Sequence, residues 1–287
     1  MGAMPHDLPA WVAELTDPRR AATLDELADR LVPLAEHAID VSRRLQAQLN
    51  ELNDPFKREA LYGRVERLKA RVSEALDEIT AEIAASGEER IERVWADWAE
   101  QAGPGDRGAR ERELRGLLDR DIVPVLSRQQ KDVAERVAER TSEALEDATQ
   151  TLLTRVEELA RAVTDLIHDV LPLAREGLAL ASRISALSGQ ARKAGRGPVP
   201  DELKDAGAET SRAFDEAVAR LELEWSALGA RSAVVRAALR GAEESAFSHV
   251  TEEMTRCVEE LAPRHVRALN EAEAKARALF GEPPGQD

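Results

Sequence analysis

The chain has 287 residues, 33% charged and 3% aromatic, and its apolar share of 43% is carried mainly by Ala and Leu. That mix disfavours sheets, which draw on β-branched and aromatic side chains. Forty basic residues against 55 acidic ones leave a net charge of −15, which opposes nucleic-acid binding and confines any contact with an anionic membrane to a local patch.

Residues 1–22 are expected to form an N-terminal segment with a short helix. They carry no apolar run behind a basic start, so the chain reads as cytoplasmic, and no window reaches the roughly 18 apolar residues of a membrane-spanning helix. Thr23 and Glu26 have capping-box spacing. Leu24, Leu27, Leu31, Leu34, Ala38, Leu45, Leu49 and Leu52 then recur at helical intervals up to Asn53, with Pro33 as an early bend. Asn53 and Asp54 supply a stop and a new cap, and Pro55 suits a first helical position. The stripe Leu61, Val65, Leu68, Val72, Leu76, Ile79, Ile83 carries a second helix to about Gln101, so residues 23–102 read as a helical hairpin. Ser86 and Gly87 are its weak point.

Gly103, Pro104, Gly105, Asp106 and Gly108 break the pattern. Periodicity then resumes over residues 109–280, read as a long antiparallel pair with its tip near 177–200 and kinks at Pro124, Pro172 and Pro263. In the first arm Leu145, Ala148, Leu152, Val156, Leu159, Val163, Leu166, Val170 and Leu173 hold one seam. Eighty residues of such helix span about 120 Å. Gly195, Gly197, Pro198 and Pro200 break the chain before Asp201 and Glu202, acidic residues suited to a helix N-terminus. Val235, Leu239, Ala242, Ala246, Val250, Met254, Cys257 and Leu261 mark the face of the second arm, and residues 281–287 are expected to be a disordered tail. The fold expected is all-α: an elongated antiparallel helical bundle with very long, kinked, coiled-coil-like helices.

Chemistry is sparse. The glycines at 103, 105 and 108 lack the Lys and Ser or Thr of a phosphate-binding loop. Among His6, His37, His168, His249 and His265, only Asp165 with His168 and His249 with Glu253 have same-face spacing, short of what a di-iron bundle needs. Cys257 is the one cysteine and lies on an apolar stripe, as a small buried hydrophobe would. Trp11, Trp95, Trp98, Trp225 and Phe247 read either as interface anchors or as plugs in an Ala-rich core. No catalytic, cofactor-binding or metal-binding residue is assigned, and no cofactor is expected.

The exception is the tip. Residues 177–200 contain no acid, while Arg183, Arg192, Lys193 and Arg196 give a local charge of +4. Leu178, Leu180, Ile184 and Leu187 lie among them. Together these eight residues suggest membrane contact, with shallow apolar insertion and cations at anionic headgroups. The alternative is that the four apolar residues finish the bundle seam and the cations form a solvated helix end.

The segment Leu49, Asn50, Glu51, Leu52, Asn53, Asp54, Pro55, Phe56, following an N-terminal helix, resembles the sequence leading into the GTPase domain of bacterial dynamin-like proteins. Here Lys57, Arg58, Glu59, Ala60, Leu61, Tyr62 and Gly63 continue as helix where that family has a strand and a phosphate-binding loop. The layout of long helices with a tip between two of them is similar to the family's trunk and paddle. The resemblance implies a helical trunk or stalk without the GTPase domain, and no nucleotide-binding residue is carried over.

The function expected is therefore a non-enzymatic, dynamin-trunk-like scaffold that self-associates and touches an anionic membrane peripherally, at the inner face, through its tip. A cytosolic coiled-coil adaptor for another protein and a helical pore-forming toxin component are the alternatives.

Overall fold

The computed structural model describes residues 17–101 and 107–280. Among them the chain is all-α. Helices α1 (Leu24–Asn53), α2 (Arg58–Gln101), α3 (Arg107–Leu117), α4 (Val123–Ala194) and α5 (Asp201–Phe280) follow in order, with short 3-10 turns at Pro18–Arg20 and Asp54–Phe56. Trp11, His6, most of the expected N-terminal segment, the break at 103–106 and the tail at 281–287 lie outside the described residues.

Local chemistry explains the ends. The Thr23 hydroxyl accepts from the Glu26 backbone N–H at 3.3 Å, and the Glu26 carboxylate accepts from the Ala22 N–H at 2.7 Å, so two donors at the start of α1 are satisfied by the expected pair. Pro55 opens a 3-10 turn rather than α2. The Lys57 N–H closes back on the Asp54 carbonyl at 3.2 Å, Lys57 is extended, and α2 begins only at Arg58. Ahead of Pro124 the chain makes a π turn over Leu118–Ile122, in which the Val123 N–H reaches back to the Leu118 carbonyl. Pro124 brings no N–H of its own, and the wider turn sits next to it. At the other end of α4, Gly195 takes φ +90°, a left-handed conformation that glycine adopts without steric cost, and the reversal is confined to residues 195–200.

Contacts divide the chain into two units that cut across its order: Met1–Leu61 with Val156–Arg240, and Tyr62–Arg155 with Gly241–Asp287. The sequence-based division into a hairpin at 23–102 and a pair at 109–280 follows chain order, whereas each contact unit takes segments from both.

In the first unit α1 packs with residues 156–194 of α4 and 201–240 of α5. Ser188 of α4 donates to the Ala28 carbonyl of α1 at 3.1 Å, while Gly177 meets Ser42, so α1 and α4 run antiparallel. Leu27, Leu31, Ala38, Ile184 and Ala191 are fully excluded from solvent and form one cluster with Phe214 and Val218. Leu45, Leu49, Leu52, Val163, Leu221 and Leu228 form a second. Each such leucine contributes roughly 2 kcal/mol of burial free energy before the entropy of ordering the chain is counted.

In the second unit α2 runs parallel to the later part of α5, as the pairs Arg64 with Glu243, Arg90 with Glu273 and Asp97 with Arg277 require. Its core has two parts. Val94, Leu114, Leu118, Ile122, Leu126 and Leu269 form one, and Ile83, Val137 and Cys257 form the other.

Candidate functional site

The residues expected to touch membrane separate into two sets. Leu180, Ile184 and Leu187 have 2%, 0% and 8% of their surface exposed and pack in the core of the first unit; Leu178 is half-buried. Spacings of four and three put Leu180, Ile184, Leu187 and Ala191 on the single face of α4 that meets α1. The expectation that these apolar side chains insert into a bilayer is therefore corrected for the folded chain, since they already complete the seam. The cations lie outside that buried seam. Arg183, Arg192, Lys193 and Arg196 are all exposed, but Arg192 lies 3.7 Å from Asp29 and Arg196 lies 3.7 Å from Asp25, so α1 brings two carboxylates to a stretch that has none in its own sequence.

Several polar groups in the second unit bond across helices, although Arg64 Nε and His265 Nδ1 are buried without a hydrogen-bond partner. The Ser86 hydroxyl donates to the Ile83 carbonyl at 2.7 Å, and its oxygen is 2.9 Å from His265 Nε2. A serine has one proton, so with that proton on the carbonyl the imidazole is the donor in this pair. A histidine-activated nucleophile needs the opposite polarity. Burial, then the Arg90 charge, push the His265 imidazolium pKa down, which favours the neutral ring. His265 also borders a cleft of about 160 Å3 with Asp132, Arg136, Leu261 and Arg264, but Ser86 is not part of that lining. Gly87 matters for a different reason than its helix propensity. The Gln130 amide of α4 rests where a side chain at 87 would be, and donates to the Ile83 and Ala84 carbonyls at 2.9 and 3.0 Å.

The remaining candidates are structural as well. Cys257 is buried, its thiol donates to the Arg136 carbonyl at 3.9 Å, and burial pushes its pKa up, away from a reactive thiolate. His249 faces Asp147 at 3.5 Å, Glu253 engages Arg256, and Asp165 and His168 are both exposed. No group of three or more metal-ligating side chains occurs among the described residues. Trp95 and Trp98 stack at 5.2 Å beside the Val94 cluster, with the Arg115 guanidinium 4.9 Å over Trp95. Trp225 packs in the Leu45 cluster, and Phe247 carries Arg71 at 3.9 Å.

No family model, curated protein or solved structure matches this chain. Of the segment behind the dynamin-like resemblance, Leu49 and Leu52 are core residues of α1, and Asp54–Phe56 is the turn into α2. No helix among the described residues is long and apolar enough to cross a membrane.

Proposed function

We propose that this chain is a non-enzymatic helical scaffold that works through its outer surfaces, in the manner implied by the dynamin-trunk resemblance. The observation that carries the reading is the use made of the reactive side chains. Ser86 is held by the Ile83 carbonyl and by His265 Nε2, Cys257 is a buried donor, and the cross-helix carboxylates and guanidiniums are paired between helices, while His265 Nδ1 is buried without a hydrogen-bond partner. Metal analysis of the purified chain and thermal shifts with Mg2+ and GTP test it. The expected result is less than stoichiometric metal and no shift; stoichiometric iron or zinc, or stabilisation by the nucleotide, would overturn it.

A second reading adds an electrostatic contact with an anionic membrane. It is favoured by the exposure of Arg183, Arg192, Lys193 and Arg196 on one end of α4 and the loop beyond it. With the leucines buried, such binding is by charge alone, each cation contributing about 1 kcal/mol near the surface and less as salt rises. Flotation with phosphatidylserine vesicles tests it: binding should fall when the four are changed to Glu, and undiminished binding would remove the contact.

A further inference from the structure

The middle of α5 in the first unit has two apolar faces, and only one is used. Leu221, Leu228 and Leu239 are buried, at 1 to 2% exposure, and the first two pack against α1 and α4. On the opposite side, Leu223, Ala227, Ala230, Val234 and Ala237 follow one another at spacings of four, three, four and three, the repeat of a coiled-coil seam. Leu223 is 69% exposed and Val234 68%, and they rank among the largest solvent-facing apolar side chains of the described residues. Between Ser226 and Ala238 only Arg231 and Arg236 are charged. One flank of this seam carries Glu224 and Arg231, with their charged groups 3.4 Å apart; the other carries Ser226 and Ala233.

We propose that this face is a homotypic contact, on which a second copy of the chain packs antiparallel with its Val234 opposite Leu223 and its Ala230 opposite Ala227. The occupant follows from size and charge together. In this register each large side chain meets a large one and the two alanines meet at the centre, where the helices come closest. Antiparallel helices bring like flanks together, so Glu224 of each copy lies beside Arg231 of the other, and two intrachain pairs become a network of four charges. A parallel copy would set Glu224 and Arg231 against Ser226 and Ala233, which offer no charge. The contact gives the scaffold reading above a specific partner and rests on it.

The experiment is sedimentation equilibrium of the full chain, with Cys257→Ala in every variant used for cross-linking. A concentration-dependent dimer is expected. Val234→Glu, Glu224→Arg and Arg231→Glu should each raise its dissociation constant at least about tenfold, and the double exchange Glu224→Arg with Arg231→Glu should recover most of that loss. Oxidising a mixture of Leu223→Cys and Val234→Cys chains should give covalent dimer. Either variant alone should give none, because like residues sit eleven positions apart along the seam, about 16 Å. All four positions face solvent or lie at the rim, so unchanged helicity by circular dichroism separates loss of contact from loss of fold. A monomer at every concentration, a dimer indifferent to Val234→Glu, or cross-linking of Leu223→Cys alone would overturn the contact. These outcomes are independent of the metal and nucleotide measurements that test the scaffold reading.

Discussion

Gly177 of α4 faces the Ser42 hydroxyl of α1 with no room between them for a methyl group. A Cβ at 177 would collide with that oxygen and come within 2.7 Å of Leu221 Cδ1. Ser42 is itself fully buried and donates to the Ala38 carbonyl at 2.6 Å, so neither side chain has free space to move into. Exchange of glycine for alanine inside a helix ordinarily stabilises by up to about 1 kcal/mol. At 177 crowding should reverse the sign, with a net loss of about 1 to 3 kcal/mol in urea unfolding. Gly189, on the same helix with nothing near its would-be Cβ, should show the ordinary gain on change to alanine.

Glu243 and Glu244 are neighbours in sequence with different expected worth. Glu243 pairs with Arg64 and Arg67, and the side chains of Arg64 and Glu243 are only 14% and 20% exposed. Glu243→Ala leaves the Arg64 guanidinium shielded and without that carboxylate, which should cost about 1 to 3 kcal/mol in the denaturation midpoint analysis. Glu244 makes two bonds of 3.0 Å to Arg71 on an exposed surface, and Glu244→Ala should leave the midpoint unchanged at 0.15 M salt.

His265 makes stability depend on pH in one direction. Its pKa is lower in the folded chain than in the unfolded one, so the unfolded chain binds the proton more readily, and folding weakens as pH falls through and below the ordinary histidine value near 6.5. Urea midpoints should therefore decline between about pH 7 and pH 5, ahead of the carboxylates. The decline should be shallower in His265→Gln, which keeps an amide donor for Ser86. A profile identical to that of the unsubstituted chain would show that His265 does not set the slope.

Ile184 and Arg183 are adjacent on α4, yet Ile184 is buried and Arg183 exposed. Ile184→Ala should destabilise by about 2 to 5 kcal/mol, as for other fully buried aliphatic side chains. Arg183→Glu should leave unfolding almost unchanged and act only on vesicle binding. Comparable loss of stability in both would contradict the separation of core and charged faces.

Much of the helix layout is legible in residues that act locally. Thr23 and Glu26 start α1 because their bonds span three and four positions, and Gly195 through Pro200 end α4 because no helix accommodates that run. Pro55 suits a first helical position for the same local reason, but the chain closes a tighter turn first, and only at Arg58 does the α-helix begin. Ser86 with His265, 179 residues apart, carries no signal in a single sequence. Gly87 reads as a weak point because propensity sees the missing side chain and not the Gln130 amide that fills the space.

Periodicity, breakers and composition by themselves determined that this chain is helical, where most of its helices stop, and that its longest acid-free stretch lies at the turn between α4 and α5. Only the tertiary structure decided which way that stretch faces. An apolar residue beside a cation has the same sequence whether it meets lipid or a neighbouring helix. It was α1, from more than a hundred residues away, that covered Leu180, Ile184 and Leu187 and brought Asp25 and Asp29 to Arg196 and Arg192. The same packing left Leu223 and Val234 uncovered, because a helix in a three-helix unit buries one face, and a second apolar face remains available to another chain.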